Sequence, residues 1–174
     1  MKEYEFVLKF ILQVNETSPE VFVEKLGEAG CDDALIGIGV NGRIALDFTR
    51  ESASALDAVL SAIKDVKRAI PDARLIEATP DLVGLTDVAD ILGFTRQNMR
   101  KLMLKNSDFP PPVHDGKPSI WHLAKILKWM EKEDRYQIEE ALFDIAETNM
   151  QFNIAKDMQD LEPGFQLNIE GLLA

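Results

Sequence analysis

Hydrophobic positions in the first eighty residues alternate between the spacing of strands and the spacing of helices. Tyr4–Val14 carries apolar side chains on both faces, which is typical of a central strand. Ser18-Pro19 begins a helix, because proline in the first turn loses no hydrogen bond, and Gly30 ends it. One face of this helix is apolar, formed by Phe22, Leu26 and Ala29.

A hairpin and a second helix follow. Ala34–Val40 and Arg43–Phe48 flank Asn41-Gly42, a dipeptide that favours a tight turn between antiparallel strands. The helix begins near Ser52 or Ser54. Pro71 stops this helix, and Ala73–Ala78 is a last short strand. The apolar stripe of the helix consists of Leu56, Val59, Leu60, Ile63, Val66 and Ile70.

The predicted order over residues 1–79 is therefore βαββαβ, the ferredoxin-like split arrangement. We expect an α+β chain that opens with a four-stranded antiparallel sheet and two helices on one face. This fold serves many unrelated functions, and we expect it to serve dimerisation or regulation here. The linker 78–81 is short, so the next unit should lie close by.

Residues 85–102 have the pattern of two short helices around a turn. Val88 and Leu92 share one face of the first helix, and Met99 and Leu102 share one face of the second. Gly93 allows the left-handed residue that ends the first helix. Thr86 and Thr95 are the predicted N-caps of the two helices. The small Ala89 lies where the second helix is expected to cross the first.

A hairpin and a third helix complete this unit. Phe109–Val113 contains three prolines and cannot be helical, the residues 114–117 form a turn, and Ile120-Trp121 returns as a short strand. Helical spacing then resumes at Leu123, Ile126, Leu127 and Met130, with Trp129 alongside.

The second helix of the pair is expected to expose donors of the types able to contact guanine, adenine and phosphate in a major groove. These are Arg96, Gln97, Asn98, Arg100 and Lys101. The alternative is two amphipathic helices of an ordinary small bundle.

Residues 82–132, within a predicted domain over 82–133, resemble the AlpA-like and excisionase-like DNA-binding domains, which are relatives of the MerR winged-helix group. The matching pieces are VADILGFTRQNMRKL, DFPPPV and IWHLAKILKWM. The resemblance implies a winged helix-turn-helix, in which the helix over Thr95–Leu104 enters the major groove and the wing contacts the flanking DNA. Candidate DNA-contacting residues are Thr95, Arg96, Gln97, Asn98, Arg100, Lys101, Lys105, His114 and Lys117.

Charge is distributed unevenly along the chain. Residues 92–128 carry seven cationic side chains against two acidic ones, a local charge of +5, which leaves −16 for the rest of a chain whose total is −11. An acidic chain does not coat nucleic acid non-specifically. We therefore expect few phosphate contacts and binding that weakens steeply with salt.

No pattern for catalysis or for a cofactor is found. His114 and His122 have no cysteine, histidine or carboxylate at metal-ligand spacing, and no phosphate-binding glycine loop or nucleophile elbow occurs. We interpret Asp32, Asp33 and Asp47 as polar residues at strand ends rather than a cation site. The chain is not expected to be an enzyme and needs no cofactor.

The sequence also indicates the cellular compartment of the protein. The single Cys31 excludes an internal disulfide framework, no apolar run spans a membrane, and the start of the chain carries Glu3 and Glu5 instead of a secretory signal. We expect a cytoplasmic protein with no membrane contact.

The residues 134–174 form a helical tail with a short extended end in this interpretation. A short heptad seam consists of Ile138, Leu142, Ile145, Asn149 and Phe152. The seam either joins two copies or folds back on the chain's own winged domain. Phe165, Leu167 and Ile169 alternate with polar residues and predict a strand, and this acidic end could bind a protein partner.

The sequence thus predicts a sequence-specific regulator that binds double-stranded DNA, as a homodimer on a palindrome. The alternative is an antitoxin-like or scaffold interaction protein, whose tail or N-terminal domain engages a protein partner while DNA binding is secondary.

Overall fold

The computed structural model of the chain describes residues 1–13, 19–39, 42–132, 136–162, 164–169 and 172. The predicted helix start Ser18 and the predicted turn residue Asn41 lie outside these residues. Within them the protein is mixed α+β, with a four-stranded antiparallel sheet, a two-stranded sheet and seven helices. Six strands are present: β1 (Lys2–Ile11), β2 (Ala34–Ile38), β3 (Arg43–Ser52), β4 (Arg74–Thr79), β5 (Leu82–Val83) and β6 (Trp121–His122). The helices are α1 (Pro19–Glu28), α2 (Ala55–Ala69), α3 (Leu85–Ile91), α4 (Arg96–Lys105), α5 (Leu123–Lys132), α6 (Glu140–Met158) and α7 (Phe165–Ile169).

The large sheet has the strand order β2-β3-β1-β4, and all its pairs are antiparallel. The prediction that the first strand is central is confirmed. Its alternate residues Tyr4, Phe6, Leu8 and Phe10 are fully buried in the larger hydrophobic core. The prediction that the other face is also apolar is wrong, because Lys9 lies there and pairs with Glu77 of β4 at 2.7 Å.

Helix α2 packs on the sheet through small side chains. The hydroxyl of Ser54 caps it by accepting the Asp57 N–H at 3.1 Å, as one of the two predicted caps. Leu56 was expected in its buried stripe, yet it is 52% exposed. Val59 and Val66 of the predicted stripe are buried. Three alanines complete the buried face, because they allow the helix to approach the aromatic side chains of the sheet closely: Ala55, Ala58 and Ala62.

A buried arginine ties α1, α2 and the sheet together. Arg50 donates two hydrogen bonds to Asp33, at 2.6 and 2.9 Å, and one to Asp65 at 2.9 Å. It also donates to the carbonyl of Gly30 at 2.8 Å. The burial of this cation is stabilised by two carboxylates. Asp33 therefore has a structural role, as the partner of Arg50.

The second core lies between α3, α4, α5 and the small sheet β5–β6. Its fully buried side chains include Val88, Met99, Leu123, Ile126 and Leu127. The predicted third helix, α5, is confirmed, and it carries most of this core.

Helix α6 joins the two cores instead of extending away from them. It contacts β1, β4, α2 and α5, with Ile145 in the larger core and Ala146 in the smaller one. A seam with a second copy would need its side chains exposed, and these are buried or half-buried in their own chain: Ile138, Leu142, Ile145, Asn149 and Phe152. Helix α6 thus folds back on its own chain, which is one of the two predicted alternatives. It packs against the large sheet as well as against α5.

Asn153 of α6 covers the outer edge of β4. Its side-chain amide accepts the Ala78 N–H at 2.9 Å and donates to the Ala78 carbonyl at 2.8 Å, as a neighbouring strand would. The same amide nitrogen donates to the fully buried Asp81 at 2.7 Å, and Asp81 lies 2.7 Å from Nδ1 of His122. These polar contacts connect the large sheet, α6 and the start of α5.

The end of the chain differs from the prediction of a strand. Residues Phe165–Ile169 form the helix α7, which begins after Gly164 at φ +88°. Five residues are too few to distinguish alternation from helical spacing. No helix in the described ranges is both long and apolar enough to cross a bilayer.

Candidate nucleic-acid interface

The turn between α3 and α4 fixes the angle of the two helices. Gly93 has φ +67°, the left-handed conformation that glycine adopts without strain, as predicted. The Phe94 N–H then donates to the Ala89 carbonyl at 2.7 Å and closes the helix end. The prediction that Thr86 is the N-cap of α3 is wrong, because α3 begins at Leu85 and Gly84 is at the N-cap position.

Helix α4 is oriented by one buried side chain. Thr95 caps it, as predicted, since its hydroxyl accepts the Asn98 N–H at 3.2 Å. Met99 is fully buried against α3 and α5, and Leu102 is half-buried. The polar residues therefore face outward, and all of these are exposed: Arg96, Gln97, Asn98, Arg100, Lys101 and Lys105.

The predicted hairpin lies beside this helix. The Val113 N–H donates to the Ile120 carbonyl at 2.8 Å, and the Ile120 N–H donates to the His114 carbonyl at 3.0 Å. The return strand continues as β6, which pairs with β5, a strand that the sequence did not predict. The tip of the hairpin carries Lys117, which is exposed.

Two tryptophans hold the proline-rich entry to the hairpin. The indole N–H of Trp121 donates to the Pro110 carbonyl at 3.0 Å, and that of Trp129 donates to the Asp108 carboxylate at 2.9 Å. Phe109 lies between both rings, with centroid distances of 6.3 and 5.1 Å. The hairpin is thus anchored to α5 at its base.

A groove of about 560 Å³ separates α4 from the hairpin. Arg96 and Arg100, one turn apart on α4, line one wall, and Lys117 lines the other. The floor is formed by the first turn of α3, where the Asp87 carboxylate accepts the Gly84 N–H at 2.7 Å. Three predicted contacts thus converge on one concave surface.

The remaining candidates lie outside this groove. Asn98, Lys101 and Lys105 border a smaller depression of about 290 Å³, whose apolar wall includes Phe94 and Tyr136 in edge-to-face contact at 5.4 Å. Gln97 borders neither depression, and His114 lies on the hairpin strand, where its ring covers Gly116.

The cations of this surface are available to an outside anion. None of the ion pairs formed among the described residues involves them. The described part of the chain also holds no group of three or more histidine, cysteine or carboxylate side chains suited to a metal. The surface can therefore donate hydrogen bonds to base edges and phosphates.

Sequence reasoning missed the residues that support this surface. Asp108 and Asp81 look like ordinary loop carboxylates, yet one anchors Trp129 and the other contacts His122 and Asn153. Their partners lie between 21 and 72 residues away, so local spacing carries no signal for them. His122, expected as a polar residue at a helix start, ends β6 directly before α5 and also contacts Asp81.

Comparison of the chain with protein-family models, curated proteins and solved structures gave no match.

Proposed function

We propose that this protein binds double-stranded DNA in a sequence-specific manner and regulates transcription. Helix α4 enters the major groove, and the hairpin 113–120 follows the adjacent backbone. The observation that carries the proposal is the exposed row of arginine, lysine and amide side chains on α4, which the buried Met99 turns away from the core.

The types of side chain match the chemistry of a groove. Arginine donates two hydrogen bonds to O6 and N7 of guanine, and glutamine or asparagine bonds to N6 and N7 of adenine. Arg96, Gln97 and Arg100 are assigned to base edges on this ground. Lys101, Lys105 and Lys117 are assigned to phosphates, which position the protein without distinguishing sequences.

The arrangement of elements supports the same assignment. Two helices around a glycine turn, a hairpin and a third helix follow each other over residues 85–132, in the order expected of a winged helix-turn-helix. The strand order β2-β3-β1-β4, with α1 and α2 as the crossing helices, supports the ferredoxin-like interpretation of residues 1–79.

A second function is favoured by the end of the chain. Phe165 and Leu167 of α7 are 48% and 78% exposed, and acidic residues precede them. Such a segment suits a groove on a protein partner, as in the antitoxin-like or scaffold alternative. In that case DNA binding serves autoregulation.

Selection from a pool of random duplexes tests the DNA proposal. The full chain should enrich one short motif, and a variant with alanine at Arg96, Gln97 and Arg100 should lose that motif while its thermal unfolding is unchanged. Alanine at Lys64, Lys67 and Lys125, three exposed cations away from the groove, is the matched control and should keep the motif. An absence of enrichment, or one motif for all three proteins, overturns the assignment.

A further inference from the structure

The two edges of the large sheet differ in whether another part of the chain covers them. The β4 edge is covered by α6, whose Asn153 bonds to both polar groups of Ala78. At the other edge, β2 is the terminal strand, and no described element pairs with its outer side. An open edge exposes a row of backbone donors and acceptors, and proteins usually protect it with charge, proline or a covering element.

Among the residues that the structure describes, strand β2 has none of these protections. Its sequence, Ala34-Leu-Ile-Gly-Ile38, contains no charge and no proline. Leu35 is 76% exposed and Ile38 is 43% exposed. An uncharged apolar edge of this kind is a surface for pairing with another strand.

The hydrogen-bond pattern shows which backbone groups are open. The Thr49 N–H donates to the Asp33 carbonyl at 3.1 Å, and bonded pairs alternate along an antiparallel ladder, so Leu35 and Gly37 bond to β3. Ala34, Ile36 and Ile38 therefore direct their backbone groups outward. Of these, the Ala34 N–H is occupied by the Cys31 carbonyl at 3.3 Å.

We propose that the β2 edge pairs with the β2 edge of a second copy of this chain, antiparallel and centred on Ile36. In this register the two Ile36 residues exchange hydrogen bonds, and each Ile38 N–H donates to the Ala34 carbonyl of the second copy. The result is one continuous eight-stranded sheet with α1 and α2 of both copies on the same face.

The side chains of β2 are self-complementary in this register. On the open face of the sheet, Leu35 lies opposite Gly37 of the second copy, and the helix-side pair is Ala34 with Ile38. A large side chain meets a small one at every position except the centre, where Ile36 meets Ile36. Side chains directly opposite each other on one face of a sheet are close enough to pack together.

Nothing within the isolated chain requires a glycine at position 37. Its φ is not in the left-handed region, and a Cβ built there would meet only the Ala45 carbonyl oxygen, at an ordinary 3.7 Å. Glycine inside a strand weakens it, and its presence often marks a close approach by another group. Leu35 of the second copy is the group that the proposed register brings there.

Helix α1 extends the surface. It packs against α2, whose other neighbour is α6 at the β4 edge, so α1 lies on the β2 side of the sheet. Its Val21 and Val23 are 41% and 40% exposed, although the helix is part of a folded layer. In the proposed dimer the two α1 helices flank the two-fold axis and add apolar area to a short strand pair.

Sedimentation equilibrium of the full chain and of three variants tests the pairing. The wild type should have twice the 19.5 kDa chain mass. Leu35→Gly removes the large side chain and Gly37→Leu fills the space opposite it, and each should raise the dissociation constant about tenfold or more, because the dimer contains the contact twice. The double variant L35G/G37L exchanges the two partners and should restore association toward the wild-type value.

Leu167→Gly is the control, since that leucine is as exposed as Leu35 but lies in α7. Its association should equal that of the wild type, and far-UV circular dichroism should show the same fold for all variants. A monomeric wild type, a dimer that ignores both single changes, or a double variant no better than the weaker single one overturns the proposal. None of these results depends on DNA, so a monomer that still enriches a DNA motif would leave the proposed function standing.

Discussion

At the scale of residues, the candidate DNA surface depends on the contrast between Met99 and its neighbours. Met99 is fully buried, and Arg96 and Arg100, three residues before it and one after, are exposed in the groove that faces Lys117. Arginine on the helix and lysine on the hairpin have different chemistry, because only the arginine fork matches the O6 and N7 pair of guanine. The two positions should therefore respond differently to substitution.

Arg100→Ala is expected to cost about 1–3 kcal/mol in binding to the selected duplex and to relax one base position. Lys117→Ala should weaken all duplexes about equally and reduce the salt dependence of the affinity. Fluorescence anisotropy with the selected duplex, its single-base variants and a random duplex measures both effects. Lys64→Ala on α2 removes the same charge and should change neither. An Arg100→Ala loss that is equal on every duplex would contradict the base contact.

The thiol of Cys31 predicts a pH dependence of stability. Burial, aided by the negative charge of Asp65, raises its pKa from 9.0 to about 11. The thiolate is thus disfavoured in the folded chain, so the stability that the neutral thiol contributes is complete below pH 9 and is lost as the pH rises toward 11. Urea unfolding should show a smaller fall in the free energy of unfolding between these pH values for Cys31→Ala than for the wild type. An equal fall would contradict this origin.

At the scale of elements, the turn between α3 and α4 rests on backbone conformation alone. A Cβ at Gly93 would meet no atom within 4 Å, yet its φ of +67° is unfavourable for other residues. Gly27 offers the matched comparison, because a Cβ there also meets nothing, while its backbone is helical. Substitution at the two sites separates strain from sterics.

Gly93→Ala should destabilise the chain by about 1 kcal/mol, and Gly27→Ala should stabilise it by about 0.5–1 kcal/mol. Thermal unfolding of both variants measures the difference in sign. If the two changes had the same effect, the left-handed turn would not be the reason for glycine at position 93.

Local sequence patterns predicted the helices and strands more accurately than they predicted the contacts between them. The Ser54 and Thr95 caps and the glycine ends of α1 and α3 are short-range features, and the structure has them. The prediction of apolar side chains on both faces of β1 was wrong, because only alternate residues of this strand are buried. The stripe of α2 was misplaced at Leu56, because the preference for alanine against aromatic rings depends on the facing sheet. Likewise, the place of α6 depends on partners up to 75 residues away, such as Ala78 for Asn153.

At the scale of the whole molecule, α6 connects the sheet to the second core. Its removal would expose Ala78 at the sheet edge and leave Asp81 without the Asn153 amide. A polar group that loses its partner and stays buried costs about 1–3 kcal/mol, and the apolar burial by α6 is lost as well. The fold of both halves should thus depend on this helix, whereas the residues after it contribute little.

Two truncations test this dependence. A chain that ends at Met158 should unfold at the wild-type temperature and keep its DNA affinity, and a chain that ends at Gln137 should be unfolded or strongly destabilised. Circular dichroism during heating measures both. Equal stability of the two would contradict the connecting role of α6, and loss of a co-purifying protein with the shorter tail would favour the interaction function.

Replacement of single guanines by 7-deazaguanine in the selected duplex tests the major-groove contact most directly. The change removes the N7 acceptor while base pairing is kept. At one guanine it should weaken binding by the wild type and have no additional effect on Arg100→Ala, which would couple that atom to that side chain. If every substituted duplex bound the wild type as tightly as the unmodified one, or weakened both proteins equally, helix α4 would not contact guanine through Arg100.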